Sequence, residues 1–175
     1  MNKLIALCCL FAMICTAAPA SAQEFQNMKP FGQSELNNFL GDWPEFSAWA
    51  QEKGEEYGDN EEYQWGKAAE AKVRGMGWEP ERFFYIAHQC AIGITGLAMD
   101  EQGPEIDSQL AEARASVMND PSLSPEQRQM MLDMLAQSQS SMSDLDESRK
   151  NIPPQEMVLI KANEDRIRKA LQVEE

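Results

Sequence analysis

A chain of 175 residues with 29 acidic and 15 basic side chains carries a formal charge of −14. That surplus of negative charge excludes electrostatic binding to nucleic acid or to anionic lipid and favours cationic partners. Cys8, Cys9 and Cys15 all fall in the first 22 residues, and the one histidine and one cysteine beyond them are too few for a zinc site.

Residues 1–22 read as a cleaved signal peptide. Lys3 supplies the positive start, Leu4 to Ile14 the apolar stretch, and Ala20-Ser21-Ala22 the small residues of a cleavage site. The apolar stretch is too short for a membrane anchor, so the mature chain is expected in the periplasm or secreted, with no stable membrane insertion. Its one remaining cysteine, Cys90, allows no internal disulfide, and its exposure and any pairing between chains stay open at this level. The remainder has the size of one domain: a flexible lead-in over 23–33 and a single helical domain over 34–175.

Ser34 can cap a helix whose apolar positions Leu36, Phe39, Leu40 and Trp43 follow helical spacing. Pro44 should end or kink it at Trp43. Asp42 can then cap a second segment with Phe46, Trp49 and Ala50 inward and Gly54 as its stop. Glu55 to Glu62 reads as a solvated acidic loop. A calcium loop starting at Asp59 would put Glu61 and Glu70 at the third and twelfth positions. It would also put Tyr63 and Gln64 where a ligand and a glycine are required, so that reading fails.

Trp65, Ala68, Ala69, Val73 and Met76 mark the next helix, ended by Gly75 and Gly77. Glu79 and Pro80 open another, with Trp78 and Phe83 placed as a hydrophobic staple. This is the most apolar stretch of the mature chain, a central helix over about 80–99, closed by Asp100 to Pro104. A fourth segment over 104–118 carries Ile106, Leu110, Ala113 and Val117 on one face. Ser124-Pro125-Glu126-Gln127 forms a capping box with proline in the first turn. The helix it opens should place Met131, Met134, Leu135, Ser138, Met142 and Leu145 inward. Asn151 to Pro154 breaks the chain before a last helix with Met157, Ile160, Ile167 and Leu171 buried. With no alternating β-branched run, the fold class is all-α, an irregular or orthogonal bundle of about six short helices around the central one.

Candidate chemistry is sparse. His88 and Cys90 sit two apart on one helix and point away from each other, so the histidine cannot activate the thiol. No GxSxG elbow and no phosphate loop occur. Gly93 and Gly96 read as small surfaces for a close neighbour. Copper(I) accepts thioethers, which makes Met130, Met131 and Met134 a question, but an inward stripe would use them as core filler. No catalytic residue and no metal or cofactor is expected.

The segments ELNNFLGDWPEFSAWAQEKG, GMGWEPERFFYIAHQCAIGI, SLSPEQRQMM and NIPPQEMVLI together resemble a diffuse group of exported helical proteins of proteobacteria. That resemblance implies export and a helical fold and no activity. Leu123-Ser124-Pro125-Glu126-Gln127 is similar to the LTxxQ signature of periplasmic chaperones of the Spy and CpxP type, which are also helical, exported and methionine-containing. Here serine replaces threonine, and the motif occurs once where that family has it twice. The function expected is non-enzymatic protein–protein binding in the cell envelope, chaperone-like or stress-related, with a cationic envelope protein as partner and the oligomeric state open. The alternative is a bundle that binds copper, haem or lipid, through a pocket near Trp78, Phe84, Tyr85 and His88 or through the three methionines.

Overall fold

The computed structural model describes residues 24–57 and 62–172. The expected signal peptide and the core of the expected acidic loop lie outside the described residues. Among the described residues the protein is all-α. A short 3-10 helix at Glu24–Asn27 precedes α1 (Gln33–Tyr57), α2 (Glu62–Gly75), α3 (Pro80–Asn119), α4 (Pro125–Lys150), α5 (Pro154–Ala162) and α6 (Glu164–Ala170). None of these helices is long and apolar enough to cross a membrane. The chain divides into two compact units, one gathering residues up to Ala91 with Pro153 onward, the other spanning Ile92–Ile152.

Two expected breaks are absent. Pro44 lies inside α1, and Pro104 lies inside the 40-residue α3. A proline in a helix interior costs about 3 kcal/mol, so something must outweigh it. In α1 the buried stripe Leu36, Phe39, Leu40, Trp43, Phe46 and Ser47 keeps its phase across Pro44, whose own ring is exposed. In α3 the partly covered positions Met99, Gly103, Ile106, Leu110 and Ala113 do the same around an exposed Pro104. Each proline therefore sits on the solvent face of a stripe that packing holds together. Asp42 caps nothing; its carboxylate accepts the Trp78 indole N–H at 2.8 Å. Gly54 likewise does not stop α1.

In the first unit, Phe39, Trp43, Phe46 and Phe83 form an aromatic core with ring centroids 5.2–5.8 Å apart. The turn from α2 to α3 is fixed by its backbone. Trp78 N–H reaches Val73 C=O, Gly77 N–H reaches Arg74 C=O, and Gly77 takes φ +89°, the left-handed geometry of a Schellman stop. Trp78 then meets Phe83 edge-on at 5.6 Å, the staple read from the sequence. The expected last helix is two. They part at Asn163, whose backbone leaves helical geometry (φ −119°, ψ 20°) while its side chain donates to the Leu159 carbonyl at 2.9 Å.

The second unit contains an antiparallel hairpin of α3 from Ile92 onward and α4. Arg128 donates to the Val117 and Asp120 carbonyls at 3.3 and 2.9 Å, and Arg149 donates to the Gly96 carbonyl at 3.0 Å. The two arginine contacts are spaced by the same 21 residues on each helix, 96 to 117 and 128 to 149, which is three heptads in opposite directions. The capping box opens α4 as expected: Ser124 Oγ accepts from Gln127 N–H at 3.2 Å, and Gln127 Oε1 accepts from Ser124 N–H at 3.0 Å.

Candidate functional site

Two clusters stand out, one in each unit. In the first unit Glu156 is fully buried on α5. Its Oε1 accepts the Phe31 backbone N–H at 2.7 Å, and the Tyr85 hydroxyl lies 2.9 and 3.0 Å from its two oxygens. Arg82 stacks over the Tyr85 ring at 5.2 Å, grips Glu35 through two bonds of 2.5 and 2.6 Å, and donates to the Lys29 carbonyl. Burial raises the Glu156 carboxyl above the ordinary range, against the pull of its two donors. Burial and the neighbouring carboxylate push Tyr85 up to about 12. Three separate segments, the lead-in, α3 and α5, are thereby pinned to one carboxylate.

Glu156 carried no flag in the sequence reading, which turned Met157 inward. The signal was present: Ile152, Glu156, Ile160, Ile167 and Leu171 share one helical register, and all five are buried. Phe31, in the stretch read as a lead-in without apolar pattern, is buried as well. Cys90 is fully buried, and burial together with the charge of Glu156 raises its thiol far above the thiolate range. A neutral, enclosed thiol is a poor nucleophile and a poor ligand. His88 is half-buried, its ring 5.3 Å from Phe25, and its Nδ1 has no hydrogen-bond partner among the described residues; burial lowers its pKa.

Of the residues expected to shape a pocket, Trp78 and Phe84 both pack on Phe83, and Tyr85 and His88 both pack on Phe25; Trp78 also bonds Asp42 and Tyr85 bonds Glu156.

The second cluster corrects the sequence reading. Met131, Met134 and Ser138 were expected inward on α4, yet Met130, Met131 and Met134 are 65, 42 and 64% exposed, Ser138 is exposed, and Met118 at the end of α3 is 60% exposed. The reason is a choice of phase. Leu132 and Leu135, flanked by Arg128 and Arg149, set the inward face; Met130 and Met134 fall on the side away from it, and Met131 at its edge. α4 buries no residue along its 26 positions. An open, shallow patch on its outer face is lined by Met130 and Met134 with Glu126, Asp133 and three uncharged neighbours. Among the described residues no group of three or more His, Cys, Asp and Glu is placed to hold a metal ion. No family model, no curated protein and no solved structure matches the chain.

Proposed function

We propose that the hairpin of α3 and α4 is a docking surface for a cationic amphipathic helix of another protein, and that the chain acts by such binding and not by catalysis. The observation that carries this reading is that α4, 26 residues long, buries none of them while turning methionines outward. A helix normally draws its stability from a buried stripe. The seam of a two-helix hairpin covers its apolar positions only in part, and a third helix laid along it would complete the packing. Methionine supplies a surface that adapts to many partners, as promiscuous helix-binding grooves require.

Charge selects the class of partner. Glu101, Glu105, Asp107 and Glu112 on α3, with Glu126 and Asp133 on α4, are exposed around this hairpin, whereas Arg128 and Arg149 are spent on carbonyls. A second copy of this chain would meet like charge with like; a basic amphipathic segment would meet its complement. With the export expected from residues 1–22, the setting is the cell envelope, and an adaptable surface of this kind suits a chaperone-like or stress-related role.

Titrating the purified protein with a fluorescein-labelled lysine–leucine amphipathic peptide tests the reading. Saturable binding is expected, weakened by added salt and by M130S/M134S. Equal binding of the glutamate–leucine counterpart, or self-association at the same concentrations, would overturn it.

A further inference from the structure

Among the described residues five large apolar side chains are exposed, and four of them are methionines: Met118, Met130, Met131 and Met134. All four belong to the hairpin of α3 and α4, whereas Met28, Met76, Met99, Met142 and Met157 are partly covered. Met130 and Met134 stand one turn apart on the outer face of α4 and line the same shallow patch. Leucine holds the inward positions 132 and 135 of this helix. The two residue types have similar helix propensity, so helix formation does not call for sulfur on the outside. An outward methionine brings one property that leucine lacks, a sulfur that takes up oxygen.

Thiolates consume peroxides before thioethers do, but Cys90, the free cysteine of the described residues, is fully buried as a neutral thiol. The exposed methionines are then the sulfurs that a peroxide meets first. The thioether lone pair attacks one peroxide oxygen, and the S–O bond forms as the O–O bond breaks. Sulfur gives up two electrons, and the hydroxyl proton passes to the departing oxygen, which leaves as water. Met130 and Met134 are 65 and 64% exposed, so a sulfoxide there leaves the packing of the chain in place and changes only its outer face. The sulfoxide oxygen is an acceptor, and the ionised Glu126 and Asp133 of the same patch offer only acceptors. The apolar side of an incoming helix carries no donor, so docking would strip water from the sulfoxide without a replacement bond.

We propose that Met130 and Met134 are a reversible sulfoxidation site for peroxides, and that oxidation there closes the docking face of the hairpin. The closure rests on the docking reading above; the modification itself does not.

The purified protein is treated with hydrogen peroxide, cleared with catalase, and followed by peptide-mapping mass spectrometry and by titration with the fluorescein-labelled lysine–leucine peptide. Met118, Met130, Met131 and Met134 should each gain one oxygen well before Met76, Met99, Met142 and Met157, with the circular dichroism unchanged. Peptide affinity should fall about tenfold or more and return after treatment with the two epimer-specific methionine sulfoxide reductases and dithiothreitol. M130L/M134L, compared with its own untreated affinity, should stay within about threefold of it after the same peroxide treatment. Treated protein that binds the peptide as before, or a double variant that loses affinity as the parent does, would overturn the closure and leave docking standing. Untreated protein that binds no peptide would overturn docking and closure together. Covered methionines oxidised as early as Met130 and Met134 would overturn the site itself.

Discussion

Glu156→Gln removes one ionisable group from the buried knot while keeping an oxygen for Phe31 N–H or the Tyr85 hydroxyl. Burial raises the folded carboxyl above its ordinary value of 4.5, so the native state holds this proton more tightly than the unfolded chain does. The contribution of Glu156 to stability is then fully present below about pH 4.5 and is lost as pH rises through the folded pKa. Each tenfold difference in proton affinity corresponds to about 1.4 kcal/mol. His88 works in the opposite direction. Its lowered pKa favours the neutral ring, so its contribution is complete above 6.5 and is lost as pH falls through the folded value. Glu35, lowered by its bonds to Arg82, acts only on the acid side of 4.5. The difference between wild type and E156Q isolates the buried carboxyl. Urea unfolding followed by tryptophan fluorescence from about pH 4 to pH 8 should show wild type losing ground to the variant as pH rises, then a plateau. A flat difference curve, or one that rises with pH, would refute the knot. Glu156→Ala is the harsher companion. It strands a buried N–H and a buried hydroxyl at about 1–3 kcal/mol each, a large part of a typical domain's total of about 5–15 kcal/mol.

Native Cys90 should resist an aromatic disulfide reagent over an hour and react fully in urea; rapid reaction of the folded protein would contradict its complete burial. Gly96→Leu should destabilise by roughly 1–3 kcal/mol, because a Cβ at Gly96 runs into the Arg149 methylenes and displaces that side chain from the Gly96 carbonyl and from Asp100, 2.6 Å away. A thermal midpoint that stays put would show that Arg149 can leave without loss. His88→Gln should cost more above pH 6.5 than in acid, since the buried ring is neutral there; the reverse order in melting experiments would count against the assignment of His88 as a neutral packing residue.

The helical class, the capping box at Ser124, the staple of Trp78 on Phe83 and the stripe Ile106–Leu110–Ala113–Val117 were legible because each depends on residues within a few turns of one another. Proline misled twice for the same reason. Its local penalty is written in the sequence, whereas the stripe that outweighs it around Pro44 and Pro104 gains its energy from tertiary packing. On α4 the run Met130-Met131-Leu132 offers two apolar phases of similar weight, and only the placement of Arg128 and Arg149 opposite Val117 and Gly96 decides between them. Glu156 escaped notice because a carboxylate in an apolar register reads as a surface charge until its donors, Phe31 from the lead-in and Tyr85 from α3, are brought to it. Those partners lie 125 and 71 residues away in the sequence, beyond the reach of any local pattern.

Hydrogen exchange of α4, with and without the cationic amphipathic peptide, tests the docking account most directly. A helix that buries no residue should exchange readily in the free protein, and the peptide should slow exchange along α4 and along α3 beyond Ile92. Protection that appears in α1, α5 or α6 while α4 stays unchanged, or a free α4 already as protected as the aromatic core, would contradict the assignment of this hairpin as the binding surface.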